Sequence, residues 1–361
     1  MSDGGDRTRN HVRRAQGIPK DEVQGRDARP RADHVTLFII NYNGLEDLPE
    51  LFQSLRAQTA EGFRTVFIDN ASSDGSVDYM KEHQPDIELW AQDDNLGYAR
   101  AANMGVAKAE TEHVVFLNTD IKLEPECIEE LVRVADSDPS IACTATKMRL
   151  YHQPRVLNGV GGGMNYLGYT WDRGMFEVDE GQYDDVEDVI FACGGAALVR
   201  KEAFLYAGGY DVGFYMYHED VDLCWRFWLL GYRVVTAPQA IVYHHFSHST
   251  RDNRGMDWRE LIGERNAMRA MIKNYQWKNL IRRLSDLMRV PQDPERKAKQ
   301  KKSLMWNLRK LPNTLRRRFW IQRHRKRSDA EIDHLIDPSP EVPIDIYGFI
   351  PAEHAEGEPS S

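Results

Sequence analysis

Four short strand-like segments, each followed by polar residues and then a helical pattern, constrain the fold of this chain most strongly. They are residues 35–40 (VTLFII), 65–68, 87–90 and 114–117. A continuous apolar run such as the first is typical of a strand buried on both faces of a parallel sheet. The alternation of strands and helices between residues 35 and 120 predicts a doubly wound parallel sheet with right-handed crossovers.

Polar residues collect directly after these predicted strands, at residues 41–43, 69–70, 95 and 118–120. The carboxyl ends of parallel strands meet at one edge of a sheet, and ligands of open α/β proteins bind at that edge. The pattern therefore predicts a ligand site there before any single motif is considered.

Composition limits the class of protein. Of 361 residues, 41% are hydrophobic, which is enough for a large core, and no apolar run is long enough to span a membrane. Four cysteines without a CxxC pair argue against a disulfide framework or a zinc site and favour a reducing, cytoplasmic setting. We predict a disordered leader over 1–33, an α/β domain over 34–256, a basic helical extension over 257–330 and an acidic, proline-containing tail over 331–361.

The second half of the α/β domain is less regular. Residues 159–163 are predicted to be a flexible glycine stretch, and residues 191–199 a strand broken by two glycines. Separate strands are predicted at 233–236 and 240–243. From residue 257 the pattern is helical, with breaks expected at Pro291, Pro294 and Pro312.

Two acidic positions can carry metal or proton chemistry. Asp120 closes a predicted strand in Asn118-Thr119-Asp120, where a carboxylate can reach a divalent cation held by a diphosphate. The alternative is that Asp120 only caps a turn. Glu219 and Asp220 precede a predicted helix, where the helix dipole favours acids, and they can also supply a general base. Spacing alone leaves both alternatives open.

Aromatic, acidic and amide residues follow the other strands. Tyr42 can stack on a nucleobase and Asp69 can hydrogen-bond it, or the two can serve rim packing and turn formation. Asn95 and Gly97 precede a helix whose N-terminus can face phosphate.

Two adjacent histidines, His244 and His245, end an apolar strand and are either metal ligands or structurally satisfied residues. The GxxxxGK[ST], GxGxxG and GxSxG motifs are missing from the chain. Their absence counts against the common nucleotide triphosphatases, dinucleotide-binding enzymes and α/β-hydrolases.

Six segments occur in an order and spacing that narrows the class further. They are residues 35–44 (VTLFIINYNG), 66–76 (VFIDNASSDGS), 95–105 (NLGYARAANMG), 114–120 (VVFLNTD), 193–209 (CGGAALVRKEAFLYAGG) and 215–226 (YMYHEDVDLCWR). Together they resemble the inverting family-2 glycosyltransferases with the GT-A fold, above all the bacterial rhamnosyltransferase-like branch. The resemblance covers residues 34–250 and implies a mostly parallel, Rossmann-like sheet flanked by helices.

The resemblance also implies roles for individual residues. Asp120 matches the metal-binding carboxylate of the DxD position, where Asn118 replaces the first carboxylate. Asp220 matches the general base, and Glu219 matches a residue that orients the acceptor. His244 matches a histidine that completes the metal site in some members, with His245 as an alternative ligand. The matching donor-binding positions are Tyr42, Asp69, Asn95, Gly97 and Asn118.

The chemistry implied is metal-dependent sugar transfer with inversion, using Mg²⁺ or Mn²⁺. The donor would be a nucleotide-diphosphate sugar, either deoxythymidine-diphosphate rhamnose or a uridine-diphosphate hexose. The acceptor would be a hydroxyl of a glycan or a lipid-linked molecule, in cell-surface polysaccharide or glycolipid synthesis. The QxxRW signature of processive members is missing, which implies one sugar per catalytic event.

Two alternatives remain from other classes of protein. One is a non-catalytic scaffold that binds nucleotide sugars. The other is a sugar-nucleotide pyrophosphorylase, which needs a basic, glycine-rich loop after the first strand. Residues 41–44 contain no Lys or Arg, so the sequence disfavours the pyrophosphorylase.

The C-terminal extension differs in charge from the rest of the chain. Residues 281–327 contain 17 Lys and Arg against 3 Asp and Glu, in a chain whose net charge is −9. Three interpretations are open: packing on the acidic body or within a homodimer, an anionic membrane surface, and, least favoured, nucleic acid. The membrane interpretation would use Trp277, Trp306, Phe319 and Trp320 as anchors and would place the protein peripherally on the inner face of the cell membrane.

Overall fold

The computed structural model describes residues 30–245, 255–289 and 294–339. Of the predicted leader, only residues 30–33 belong to this part of the chain, and most of the predicted tail, from residue 340, lies outside it. Pro291 also lies outside the described residues.

The strands and helices of the described residues follow the predicted alternation in the first half of the chain. The strands are β1 Val35–Asn41, β2 Arg64–Asp69, β3 Glu88–Ala91, β4 His113–Asn118, β5 Ile121–Leu123, β6 Ile141–Leu150, β7 Gln153–Val160, β8 Gly162–Asn165, β9 Thr170–Asp172, β10 Ala196–Arg200, β11 Arg233–His244 and β12 Ile336–Asp337. The helices are α1 Leu48–Arg56, α2 Ser76–His83, α3 Tyr98–Lys108, α4 Cys127–Asp136, α5 Lys201–Tyr206, α6 Glu219–Leu229, α7 Gly255–Asn274, α8 Trp277–Arg289, α9 Pro294–His324 and α10 Asp329–Ile332.

The main sheet has the order β3-β2-β1-β4-β10-β6-β11-β5, with β7 added on β6. Strands β1 to β4 are parallel to one another, as predicted, whereas β10 runs antiparallel to both β4 and β6. Asn41 is in register with Asp69, and Ile40 with Asn118. The polar residues that follow these strands therefore lie along one edge of the sheet.

Both faces of the sheet are buried, which explains the continuous apolar run of β1. Phe38 and Ile40 belong to the core on one face, together with α3, α5 and α6. Leu37 and Ile39 belong to the core on the other face, with α1 and α4. Side chains alternate between the faces of a strand, so a strand covered on both sides needs apolar residues at every position.

Two predictions for the irregular half of the domain were wrong. The glycine stretch at 159–163 is not a flexible segment but belongs to β7 and β8. A Cβ atom on Gly162 would lie 2.0 Å from Phe191, and one on Gly163 would lie 2.4 Å from Trp171. Glycine is thus required because aromatic rings pack on the backbone. The strands expected at 233–236 and 240–243 are a single strand, β11, with a register shift against β6 between Ala237 and Ile241.

The break predicted at Pro312 is also wrong, because α9 continues through this residue. Proline removes one backbone hydrogen bond from a helix and crowds the preceding turn. Helix α9 is nevertheless held on both sides of Pro312. Asn307 Nδ2 donates to the Arg265 carbonyl of α7 at 2.9 Å, and Arg318 Nη1 donates to the Ile272 carbonyl at 2.6 Å.

A buried network of charges joins the C-terminal helices to the α/β body. Lys273 of α7 donates from Nζ to Asp211 at 2.7 Å and to Asp222 of α6 at 2.8 Å. Arg269 donates from Nε to Asp211 at 3.0 Å, and Arg226 donates from Nη2 to Asp222 at 2.9 Å. Burial alone would raise the pKa of Asp211, but Lys273 and Arg269 hold that pKa well below its usual range.

The network predicts a large difference in stability between two aspartate variants. Asp211→Asn should lower the free energy of unfolding by about 3 kcal/mol, because removing one partner of a buried ion pair leaves charge uncompensated. Asp188→Asn is the matched control, since the pair of Asp188 with Arg233 is partly exposed, and it should cost about 1 kcal/mol or less. Urea unfolding measures both, and equal losses would contradict the importance assigned to the network.

Candidate active site

The first part of the candidate site lies at the ends of β1 and β2. Asn41 is fully buried, and its Nδ2 donates to Asp69 Oδ1 at 2.7 Å and to Ser72 Oγ at 3.0 Å. The backbone N–H of Ser72 donates to the other oxygen of Asp69. Asp69 is therefore fixed by Asn41 and by the following turn, while the neighbouring Tyr42 is exposed at the rim with its ring available for stacking.

Hydrogen bonds fix the backbone at the next predicted donor-site positions. Asn95 Oδ1 accepts a hydrogen bond from the N–H of Gly97 at 2.8 Å, and Gly97 has a φ of 73° directly before α3. The N–H of Asn118 donates to the Gly195 carbonyl at 2.8 Å, which joins the end of β4 to the loop before β10.

Strand pairing brings the two predicted metal ligands together. His244 at the end of β11 is in antiparallel register with Ile121 of β5, the residue after Asp120. His244 Nε2 lies 3.2 Å from Asp120 Oδ2, and Asn158 Oδ1 lies 2.6 Å from His244 Nδ1. Burial opposes the charged imidazolium, but the carboxylates of Asp120, Asp172 and Asp47 outweigh it and raise the pKa of His244.

The second histidine takes a different position. His245 Nδ1 lies 2.6 Å from Asp47 Oδ1, and its Nε2 lies 3.8 Å from Glu50. Its backbone N–H donates to the carbonyl of Asp120 at 3.1 Å. Between the two histidines, the geometry therefore favours His244 over His245 as the partner of the Asp120 carboxylate.

The acidic pair occupies the first turn of α6. The helix begins at Glu219, two residues earlier than the sequence predicts. Asp220 Oδ2 accepts from the N–H of Gly194 at 2.9 Å, and Oδ1 accepts from the N–H of Val221 at 2.8 Å. Glu219 is only 9% exposed, and its Oε2 has no hydrogen-bond partner among the described residues. Burial, followed by the charge of Asp220, raises the pKa of Glu219 to about 8, and burial also raises the pKa of Asp220.

The double glycine that the sequence marks as a strand break connects these parts. Gly194 donates its N–H to Asp220, and its carbonyl accepts from the hydroxyl of Tyr98. A Cβ atom on Gly195 would lie 3.1 Å from Nδ2 of Asn118. The Gly194-Gly195 segment thus lies between the end of β4 and the acidic pair, with no side chain to fill the space.

Two side chains of the site were missed from the sequence. Asn158 orients His244, and Asp172, at the end of β9, shares the local field of Asp220 and His244. Burial, then the charge of Asp220, raises the pKa of Asp172 to about 7. Gly159 permits its approach, since a Cβ atom there would lie 2.8 Å from that of Asp172. No spacing signal marks either residue, because both come from the irregular region between β6 and β10.

The loop before the acidic pair is held from outside the α/β body. Tyr217 and His218 both have left-handed backbones, with φ of 65° and 66°, which are unfavourable for residues with a side chain. Asn266 of α7 is fully buried, and its Nδ2 donates to the carbonyls of Met216 at 2.9 Å and Tyr217 at 2.8 Å. A helix of the C-terminal extension therefore fixes the strained entry to α6.

The architecture defines the class of protein first. The fold is that of the GT-A glycosyltransferases: the structure of GalNAc-T7 with UDP, GalNAc and Mn²⁺ matches with a TM-score of 0.57 at 16% identity, over 74% of this chain and 54% of that one.

Comparison of the amino-acid sequence with known proteins points to one family of glycosyltransferases. Residues 36–205 match the model of glycosyl transferase family 2. An N-acetylglucosaminyl-diphospho-decaprenol L-rhamnosyltransferase of Mycobacterium tuberculosis is 28% identical over 60% of this chain and 78% of its own length. A pre-mycofactocin glycosyltransferase of the same species is 30% identical over 62% of this chain, but only 45% of its own length is covered. Residues 36–205 therefore match a family-2 glycosyltransferase domain, and the chain resembles the rhamnosyltransferases, as the sequence motifs predicted.

The contact between Asn266 and the loop predicts a specific loss of activity. Asn266→Ala should lower kcat about tenfold or more with little change in the KM for donor, because misplacement of a catalytic group by about 1 Å can cost about 100-fold. Steady-state kinetics with the donor varied measures both constants.

Asn307→Ala is the matched control for this variant. Asn307 is equally buried and bonds the carbonyls of Arg265 and Ser303, away from the loop. If both variants lose kcat to the same extent, Asn266 acts through general stability and not through the loop.

Proposed function

We propose that this glycosyltransferase moves one sugar per catalytic event, with inversion, from a nucleotide-diphosphate sugar to a hydroxyl of a glycan or lipid-linked acceptor. The observation that carries the proposal is that two groups of side chains lie within electrostatic reach of Asp172, whose carboxyl interacts with His244 of one group and with Asp220 of the other. Asp120 and His244 form one group, and Glu219 and Asp220 form the other. The M. tuberculosis relative, an N-acetylglucosaminyl-diphospho-decaprenol L-rhamnosyltransferase, supports rhamnose as the transferred sugar and a polyprenyl-linked acceptor. Such an activity belongs to cell-surface polysaccharide or glycolipid synthesis.

The donor would lie across the ends of β1, β2 and β4. Tyr42 would stack on the nucleobase, and Asp69, held rigid by Asn41, would accept its hydrogen bonds. Asn95 and Gly97 shape the N-terminus of α3, where backbone N–H groups favour the diphosphate. Asn118 would contact the same donor from the end of β4.

The residues around Asp120 suit Mg²⁺ or Mn²⁺. One carboxylate and one imidazole 3.2 Å apart, the latter oriented by Asn158, fit a divalent ion whose remaining ligands come from substrate phosphates. The raised pKa of His244 reflects the same field of carboxylates that would attract a cation. When bound, the ion neutralises charge on the diphosphate and stabilises the leaving group.

Asp220 would act as the general base. Two backbone N–H groups fix its carboxylate, and burial raises its pKa, which makes it a stronger base than an exposed aspartate. It would take the proton of the acceptor hydroxyl while that oxygen attacks the anomeric carbon on the face opposite the leaving diphosphate. Glu219, whose pKa of about 8 keeps it protonated at neutral pH, can donate a hydrogen bond to the acceptor.

Removal and titration of the base give one prediction. Asp220→Asn should lower kcat by about 10²–10⁴-fold while donor binding survives, which is the usual contribution of a general base. In the wild type, kcat/KM should fall about tenfold per pH unit on the acid side. Because the pKa of Asp220 is raised, this fall should begin at a higher pH than for an ordinary aspartate.

The Glu219→Gln variant distinguishes the contributions of Glu219 and Asp220 to the pH profile, because glutamine resembles the protonated glutamate. This variant should keep the acid limb of the pH profile and lose any further titration near pH 8. Near-normal rates in Asp220→Asn would exclude Asp220 as the base.

The adjacent histidines allow a sharp test of the metal site and the donor together. Thermal stability is measured against a panel of nucleotide diphosphates and their sugars, with Mn²⁺ and with a chelator. A metal-dependent rise in melting temperature with one nucleotide is expected. His244→Gln should raise the Mn²⁺ concentration needed for half of that effect about tenfold or more.

His245→Gln is the control, since His245 is bonded to Asp47. Loss of the metal effect in this variant alone would assign the ligand to His245. A donor shift that is insensitive to the chelator would contradict the metal dependence.

A further inference from the structure

The exposed surface of α9 is unusual for a helix that packs on a protein body. Its buried positions against α7 are largely polar, namely Ser303, Asn307, Thr314 and Arg318. Beside this buried face, one residue further along at each turn, lies a row of large apolar side chains. Leu304 is 42% exposed, Leu308 50%, Leu315 38% and Phe319 68%.

These four side chains form one continuous stripe. Their separations of 4, 7 and 4 residues place them on the same side of an α-helix. Trp277 of α8, which is 58% exposed, contacts α9 beside the stripe, since its ring lies 3.9 Å from the guanidinium of Arg318, the residue before Phe319. The other two anchors considered from the sequence do not contribute: Trp306 packs under Arg265, and Trp320 packs against Tyr206.

Cations line the side of the stripe that faces away from α7. Lys302, Arg309, Arg316 and Arg323 follow one another at intervals of seven residues, and all are exposed. Residues 296–328 contain no Asp or Glu, so this charge has no acidic neighbour along the helix. An exposed apolar stripe beside a cationic row is the pattern of a helix that lies in a membrane interface.

We propose that α9 lies along an anionic lipid bilayer, with Leu304, Leu308, Leu315 and Phe319 at the boundary between headgroups and acyl chains. The cationic row would lie at the level of the lipid phosphates. No helix of the described residues is long and apolar enough to cross a membrane. The inference goes beyond the proposed transfer reaction and does not depend on it, although a bilayer contact would suit a lipid-linked acceptor.

Two other binding partners would account for only part of the exposed face of α9. A second copy of the chain in a two-fold contact would bring cationic row against cationic row. Nucleic acid would satisfy the cations but leave the leucines and Phe319 without an apolar partner. A bilayer with anionic headgroups accounts for both features at once.

Vesicle co-sedimentation of the full-length protein tests the proposal without donor or acceptor, so its failure is distinct from failure of the transfer reaction. Binding is expected to vesicles of phosphatidylglycerol and phosphatidylcholine at low salt, with weaker binding at high salt because exposed charges are screened. Leu308→Glu combined with Phe319→Glu should lower the partition coefficient at least tenfold. Arg309→Glu combined with Arg316→Glu should remove most of the difference in vesicle binding between low and high salt.

Leu205→Glu is the matched control, because Leu205 is 49% exposed but lies on α5. It should leave vesicle binding unchanged, and circular dichroism checks that all variants are folded. Absence of binding by the wild type at low salt would overturn the proposal. So would a result in which the Leu308 and Phe319 variant binds vesicles normally but changes from dimer to monomer, or loses binding to RNA.

Discussion

The buried charges between α6 and α7 are the contact on which the geometry of the acidic pair depends. Asp222 lies two residues after Asp220 on α6, and Lys273 and Arg226 hold it from inside the protein. Lys273 also binds Asp211 at the start of the loop that leads into α6. Lys273 thus holds both the start of the loop and the first turn of α6. Asn266 supports the strained residues that lie between these two points. The C-terminal helices are therefore part of the site's framework, although none of their residues belongs to the family motifs.

This arrangement explains how three acids in the first turn of α6 can coexist in a buried region. Burial opposes the charge of Asp222, but Lys273 and Arg226 outweigh it and lower the pKa, so Asp222 remains charged. Glu219 has no cationic partner among the described residues, and burial raises its pKa to about 8. Asp220 lies between these cases, since burial raises its pKa while two backbone N–H groups oppose the increase. Environments that separate the pKa values of neighbouring carboxyl groups are typical of sites that move protons.

The sequence predicts the parallel half of the fold well, because local patterns determine it. Each strand of the first half is a short, strand-like segment that ends in polar residues, and the structure places those residues along one edge. The approach of His244 to Asp120 depends instead on the pairing of β5 with β11, which are far apart in sequence. Family resemblance pointed to that pair, whereas spacing alone could not. Asp172, Asn158 and Asn266 had neither kind of signal, because nonlocal packing alone places them near the site. Pro312 was misread for the same reason, since the contacts of α9 with α7 outweigh a local preference.

The arrangement of side chains on α9 explains why basic residues are concentrated in the C-terminal extension. Some of its basic residues do pack inward, as Arg318 does on the carbonyls of Ile272 and Tyr275. Burying an arginine is less costly where its donors are hydrogen-bonded, and these two carbonyls accept from Nη1 of Arg318. The helix thus makes its internal contact largely with polar groups, while leucines and a phenylalanine remain at the surface. If packing on the body were the sole role of α9, the opposite distribution would be the more stable one, because buried apolar area stabilises and exposed apolar area does not. The composition of α9 is therefore better explained by a second, apolar and anionic contact outside the chain.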